Sequence, residues 1–253
     1  MLTSMQNPKI QWVRSLLAEK KRRQQEGAFV CEGIRLAEEA VRYSQKPLLI
    51  LFSSSISERG KNVLASYSCE KTEVAPHLLE RISATETSQG LLLVMPFPRI
   101  PLPTKPDLYL VLDEIQDPGN FGTILRAGTA FGLQGIFYTA GSVDPFSPKV
   151  VRAAMGAHFR IPVQEADPAK VKDISQSTQL FLTDVQHGTP CWKADLTQPL
   201  TIVIGSEALG ISEAMRQIPH YSVRIPMPGD MESLNAAVSA SILLYEITRQ
   251  RAT

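Results

Sequence analysis

The chain of 253 residues is poor in the groups that usually announce a function. It has three cysteines, Cys31, Cys69 and Cys191, widely spaced and with no Cys-x-x-Cys pair. An odd, scattered set excludes a disulfide or zinc framework and fits a reducing compartment. The four histidines (His77, His158, His187, His220) are equally scattered, so no metal site is expected. The net charge is only +1, so any nucleic-acid footprint must be local. No apolar run is long enough to cross a bilayer. The opening MLTSMQNPKIQWVRS has no apolar signal-peptide core, and a cytoplasmic location is expected. There is no Gly-x-Gly-x-x-Gly fingerprint, which argues against a nucleotide-dependent dehydrogenase.

What is present is an ordinary globular composition, 43% hydrophobic and 20% charged. The length suits one large domain or two modest ones. Residues 1–25 carry Lys9, Arg14, Lys20, Lys21, Arg22 and Arg23 against Glu19 alone. Ile10, Val13, Leu16 and Leu17 recur at helical spacing, which predicts an amphipathic helix with a basic end. Such a run is either a solvated helix face or an electrostatic footprint for a phosphate backbone. Short strands are expected at 29–31, 48–52, 72–74 and 90–95, with helices at 33–41, 57–66 and 76–82. This alternation predicts a small α/β domain over 1–95.

Pro96, Pro98, Pro101, Pro103 and Pro106 then crowd into eleven residues. Proline at that density favours extended, semi-rigid backbone, so 96–106 reads as a linker. The α/β pattern restarts over 107–253, with strands expected at 108–112, 136–138, 180–183, 202–204 and 222–225. Ser147-Pro148 and Asp167-Pro168 each supply an N-cap residue followed by proline at the first helical position. Strands alternating with helices predict a parallel sheet, whose ligands sit in loops at the carboxyl ends of strands. That rule directs attention to the loops after 112, 138, 204 and 225.

In the first of these loops, Asn120 stands where a helix cap would, and Gly132 stands where the helix should end. Arg126 lies among Ile124, Leu125, Ala127 and Ala130. It is either a buried ion-pair partner or a group for planar recognition of phosphate or carboxylate. The loop after 204 places Ser206 and Glu207 between Gly205 and Gly210, giving close backbone approach beside a carboxylate. The last, Ile225-Pro-Met227-Pro-Gly-Asp, leads towards a helix expected to begin near Ser233. Small residues crowd its first turns, so a ligand or another backbone can approach closely.

Together these segments resemble the signature motifs of the SpoU (TrmH-like) branch of the SPOUT RNA methyltransferases. Asn120-Phe-Gly-Thr-Ile-Leu-Arg126-Ala-Gly-Thr-Ala-Phe-Gly132 resembles the first motif, and Ile204-Gly-Ser-Glu207-Ala-Leu-Gly210 the second. Ile225-Pro-Met227 with Glu232-Ser-Leu-Asn235-Ala-Ala-Val-Ser-Ala resembles the third. Ser147-Pro-Lys-Val-Val-Arg152-Ala-Ala-Met-Gly156 is similar to the segment that precedes the middle strand in that family. Gln6-Asn-Pro-Lys-Ile and Glu32-Gly-Ile-Arg35-Leu resemble, more loosely, its L30e-like substrate-binding domain. Ala208 and Ala154 depart from the pattern, where glycine and serine are usual. Ala208 would be strained if its backbone needed positive φ.

The resemblance implies a C-terminal parallel-sheet domain with a deep trefoil knot, a smaller N-terminal L30e-like domain and a homodimer. It implies transfer of a methyl group from S-adenosyl-L-methionine to a ribose 2′-hydroxyl of RNA, ribosomal RNA rather than tRNA, with no metal. Arg126, Asn120, Glu207, Ser233 and Asn235 are the catalytic set that it implies. Gly205, Ile225, Leu234, Thr139, Ala140, Gly141, Ile204, Met227, Gly210 and Ala237 are the implied cofactor contacts. In the dimer Asn120 or Arg126 completes the site across the interface. The RNA contacts expected are Lys9, Arg14, Lys20, Lys21, Arg22, Arg23 and Arg35. The competing readings are a non-catalytic RNA-binding or ribosome-assembly protein of the same fold, a tRNA ribose methyltransferase, and a base methyltransferase.

Overall fold

The computed structural model describes residues 1–85 and 87–252. They form two compact units, Met1–Arg99 with Phe146–Phe159 and Ile100–Pro145 with Arg160–Thr253.

The first unit runs α1 (Pro8–Ala18), α2 (Lys20–Glu26), β1 (Ala28–Glu32), α3 (Ile34–Arg42), β2 (Leu49–Phe52), α4 (Glu58–Ala65), β3 (Lys71–Glu73), α5 (Pro76–Ile82) and β4 (Leu91–Pro96). Its sheet has the order β1-β4-β2-β3, with β4 antiparallel to both neighbours and β3 parallel to β2. The two-residue period of a strand is visible in the packing. Phe29, Cys31, Ile50, Leu91, Leu93 and Met95 enter one core under α3 and α4. Ala28, Val30, Leu49, Leu51, Leu92 and Val94 enter another, with Ile10, Val13 and Leu16 of α1 and Leu78 and Leu79 of α5.

The single amphipathic helix expected at the N-terminus does not form. The basic N-terminal segment is two helices, because Glu19 is extended (φ −118°, ψ 117°). The break lets Arg23 turn inward, where its guanidinium donates to the Leu16 carbonyl at 2.6 Å and the Leu17 carbonyl at 3.3 Å. Those carbonyls end α1 and have no helical donor. Phe146–Phe159, within the span 107–253 read as the C-terminal domain, pack with the first compact unit. Phe146 stacks on Phe97 with centroids 4.1 Å apart and packs on Phe29 at 5.0 Å. Val151 of α7 (Pro148–Ala154) and Phe159 join the same core.

The second unit contains β5 (Leu108–Asp113), α6 (Pro118–Ala130), β6 (Gly135–Tyr138), β7 (Val163–Glu165), α8 (Pro168–Ile174), β8 (Gln179–Thr183), β9 (Thr189–Pro190), β10 (Leu200–Gly205), α9 (Glu213–Arg216), β11 (Tyr221–Arg224) and α10 (Ala236–Arg251). All pairings in its sheet are parallel, in the order β7-β6-β5-β10-β8-β11-β9. Every residue of β5 is buried, as are the first five of β10, the signature of a sheet covered on both faces. The edge strands β7 and β9, three and two residues long, are too short to show periodicity and were not expected. Among the described residues no helix is long and apolar enough to cross a membrane.

Candidate active site

Parallel strands bring all their carboxyl ends to one edge of the sheet, and the strand order decides which loops meet there. β8, β10 and β11 lie close together, and their ends line a cleft with Thr183, Asp184, Ile204, Gly205, Val223 and Ile225. Met227, Ser233 and Leu234 close it from the third motif, with Ala236 and Ser239 from the first turns of α10.

Helix starts set the polar groups. α6 is capped by Asp117, whose Oδ1 accepts from the Asn120 N–H at 2.7 Å. Asn120 is therefore not the cap, and its amide is available elsewhere. α10 starts at Ala236, later than the expected Ser233, because Asn235 caps it: Oδ1 accepts from Ala237 N–H at 3.0 Å and Val238 N–H at 3.3 Å. The Asn235 Nδ2 donates to Asn120 Oδ1 at 2.9 Å. Asn120 Nδ2 in turn donates to Glu207 Oε1, which also accepts the Ala236 N–H at 3.3 Å. One carboxylate thus joins residues 87 and 29 positions away. It lies at the N-terminus of a 16-residue helix, where a negative charge is favoured.

The loop after β10 is tight. Ser206 and Gly210 exchange backbone hydrogen bonds at 3.1 and 2.9 Å. Gly210 takes φ +69° and Ala208 is not among the positive-φ residues, so alanine at 208 is unstrained. A Cβ on Gly205 would lie 2.3 Å from the Gly210 carbonyl atoms, so only glycine lets the two backbones approach.

Arg126 is exposed on α6 and has no hydrogen bond or ion pair among the described residues, which removes the buried ion-pair reading. Six residues at 100° each put it about 120° around the helix and about 9 Å along it from Asn120. It does not line its own chain's cleft. Thr139, Ala140 and Gly141, expected at the cofactor, are not in the cleft either. They follow β6, which lies beyond β5 from β10, and the Thr139 hydroxyl is held by the Asp113 carboxylate at 3.0 Å and the Glu114 N–H at 2.9 Å. Ala237 is buried on the far side of the first turn, and Ala236 and Ser239 take its place in the lining.

Thr183, Asp184 and Val185 were not anticipated, although the carboxyl-end rule applied to the strand at 180–183 points to them. Asp184 Oδ1 accepts N–H groups from His187 at 3.0 Å and Gln186 at 2.9 Å. The His187 N–H is the largest influence holding this carboxyl below the usual range, against the opposing effect of burial. Burial pushes all three thiols up, so none is an activated nucleophile. Among the described residues no group of three or more His, Cys, Asp and Glu could hold a metal.

S-adenosylmethionine needs an apolar slot with backbone groups for its adenine and a setting that tolerates its positive charge. The slot is supplied by Ile204, Val223, Ile225, Met227, Leu234 and Leu243. The N–H groups of Ile225, Met227 and Leu234 make no hydrogen bond among the described residues. Asp184 and Glu207 bring negative charge to the lining. The residues fit the group.

The expected RNA contacts fare unequally. Arg23 is withdrawn, being only 4% exposed and occupied by α1 carbonyls. Lys9 pairs with Glu70, and Arg22 with Glu26 at 3.1 Å. Arg14, Lys20, Lys21 and Arg35 are exposed, with no hydrogen bond or ion pair among the described residues.

Fold and cleft together define a cofactor-binding α/β domain joined to a smaller α/β unit. The profile of the SpoU rRNA Methylase family matches residues 107–245, and that of the MRM3-like substrate binding domain matches residues 7–93. This chain belongs to the SpoU rRNA methylase family. It is 31% identical to the 23S rRNA (uridine(2479)-2′-O)-methyltransferase of Streptomyces viridochromogenes, over 97% of this chain and 91% of that one. It is 30% identical to the 23S rRNA (guanosine(2553)-2′-O)-methyltransferase RlmP of Bacillus subtilis, over 97% and 98%. The crystal structure of the SpoU methyltransferase AviRb from Streptomyces viridochromogenes with AdoMet superposes with a TM-score of 0.91 and 30% identity, covering 98% of this chain and 99% of that one.

Proposed function

We propose that this chain methylates a ribose 2′-hydroxyl in ribosomal RNA with S-adenosylmethionine. The observation that carries the reading is the Glu207–Asn120–Asn235 bridge, which ties all three motif segments together beside a cleft that fits the cofactor. The intact polar set argues against a non-catalytic relative of the same fold.

When bound, S-adenosylmethionine supplies an electrophilic methyl carbon on a sulfonium. The backbone N–H groups of Ile225, Met227 and Leu234 would hold the adenosine edge, and Gly205 would admit it close to the backbone. Holding donor and acceptor near attack distance supplies a large share of the rate. Asn120 and the Ala236 N–H fix the Glu207 carboxylate, Asn235 holds Asn120, and Ser233 completes the polar wall. The ribose oxygen–methyl bond would form as the methyl–sulfur bond breaks, with S-adenosylhomocysteine leaving and the hydroxyl proton passing to water. A guanidinium keeps its own proton at neutral pH, so Arg126 binds the adjacent phosphate and stabilises the developing alkoxide.

Arg126 reaches a site by dimerisation. Val238, Ile242 and Tyr245 are 46%, 36% and 60% exposed. At spacings of four and three they form one apolar stripe on α10, the helix that packs beside α6. A second copy on this stripe covers it and carries the partner subunit's arginine towards the cleft.

The test is incubation with labelled S-adenosylmethionine and ribosomal RNA, wild type beside Arg126→Ala, with mapping of linkages protected from alkaline cleavage. A new protected linkage, absent with Arg126→Ala, is expected. Label on a base with no protected linkage would overturn the ribose chemistry.

A further inference from the structure

We infer that the groove between α1, α5 and α7 in the first unit is the track for the phosphate backbone of the RNA. The inference rests on the RNA-methylating reading above and identifies where that substrate is gripped away from the reacting ribose. The groove is lined by Gln11, Arg14 and Glu19 of the α1 region, Arg81 and Ser83 at the end of α5, and Pro148 at the start of α7. Arg14 and Arg81 are both exposed, and neither has a hydrogen bond or ion pair among the described residues. Across the groove, Arg152 of α7 donates to the Ala84 carbonyl at 3.2 Å, and exposed Lys149 follows Pro148. Two guanidiniums thus line the opening and a third reaches its edge at Ala84, against Glu19 in the described lining and Glu32, whose carboxylate is already occupied by Ser83 and the Ala84 N–H.

The chemistry of this lining selects its ligand. Two free planar guanidiniums suit the oxygens of phosphates. Among the described residues no aromatic side chain lines the groove, so they offer no platform for stacking bases, and contact with the backbone alone is indifferent to sequence. The basic run at 20–23 is the weaker site, because Arg23 is buried and Arg22 is paired with Glu26. Arg81 and Arg152 were not among the expected contacts. Arg152 reaches Ala84 from Phe146–Phe159, a segment of the first unit.

The experiment measures binding of radiolabelled 23S rRNA transcript to the full chain as a function of salt. It compares wild type, Arg14→Gln/Arg81→Gln, and a charge-matched Lys105→Gln/Lys172→Gln control. Each phosphate contact contributes about 0.7–0.9 to the slope of log affinity against log salt. The double arginine variant should lose about 1.4–1.8 from that slope and about tenfold or more in affinity near 0.1 M salt. Its S-adenosylmethionine affinity and melting temperature should match wild type, and the control should keep the wild-type slope. A folded double arginine variant with the wild-type slope overturns the groove assignment. So does equal weakening in the control, which would mean a diffuse charge effect. If the slope is unchanged and an acidic peptide competes with cofactor-independent binding at the groove, the groove serves a protein partner instead. A wild-type protein that neither binds nor methylates the transcript would instead overturn the function on which the inference rests.

Discussion

A single methyl group at position 205 tests whether cofactor binding depends on the close approach of the β10 end to the turn that follows it. A Cβ on Gly205 lies 2.3 Å from the carbon and oxygen of the Gly210 carbonyl and 2.5 Å from the Ile211 nitrogen. Favourable contacts begin near 3.5 Å, so the turn must move by about 1 Å. All three atoms are backbone, and no side-chain rotation relieves the clash. Gly205 is not among the positive-φ residues, so the cost is steric rather than torsional. A displaced turn weakens the two hydrogen bonds between Ser206 and Gly210. With about 0.5–1.5 kcal/mol for each of the two bonds and about 1–3 kcal/mol for overpacking, the native turn becomes roughly 2–6 kcal/mol less favourable. The lower end of that range is about a 30-fold loss of affinity for a ligand that needs the native turn. Calorimetric titration with S-adenosylmethionine reads this directly. Thermal melting gives an independent check: at about 100 times the wild-type Kd, wild type gains about 2.7 kcal/mol and Gly205→Ala only about 0.9 kcal/mol. A folded Gly205→Ala chain with wild-type affinity and the full melting gain would refute the reasoning.

Asn120→Ala strips Glu207 of one donor and leaves the Asn235 amide without its acceptor. At about 1–3 kcal/mol for the unmade bonds, single-turnover methyl transfer should fall about ten- to a hundredfold, and an unchanged rate would remove the bridge from the mechanism. Arg126→Ala should keep cofactor affinity, measured by titration, while transfer to RNA falls by about 10²–10³; loss of cofactor binding instead would assign the arginine a different role. Val238→Glu with Tyr245→Glu should convert a dimer to a monomer in sedimentation, and a dimer that persists would place the interface elsewhere. Hydrogen bonding to Arg249 leads the effects that hold Glu246 down, from an ordinary value of 4.5 to about 2. A depressed folded pKa stabilises above the unfolded value, and the contribution is lost as pH falls from about 4.5 towards 2. Glu246→Gln should therefore flatten the acid-side decline in urea-unfolding free energy, and the same decline in both proteins would contradict that linkage.

Local features of the chain were legible because a few neighbouring residues encode them. The continuous apolar runs at 108–112 and 202–204 become strands buried on both faces. Ser147-Pro148 and Asp167-Pro168 start helices, since a cap and a fixed φ act within one turn. The crowding of small residues after 235 foretells a surface that a ligand can approach, and Ala236 and Ser239 line the cleft. Asn120, Glu207 and Asn235 are legible as polar groups at the right loops, but Asn120 read alone looks like a cap.

Only the tertiary structure decided what those groups meet. The sheet order places β10 between β5 and β8, so the cleft takes the loop after β8 and leaves out Thr139–Gly141 after β6. Strand neighbours are chosen by burial and pairing between residues far apart in the chain, such as 113 with 205, and no local period records that choice. Arg23 shows the same limit. Its basic neighbours suggest a solvent-facing charge, yet a break at Glu19 turns it onto the orphan carbonyls of α1. The sequence by itself determined the elements, their caps and the chemical groups available. The long-range packing determined which of those groups share a cleft, a groove or a core, because an element's burial partners are fixed only when the whole unit closes around it.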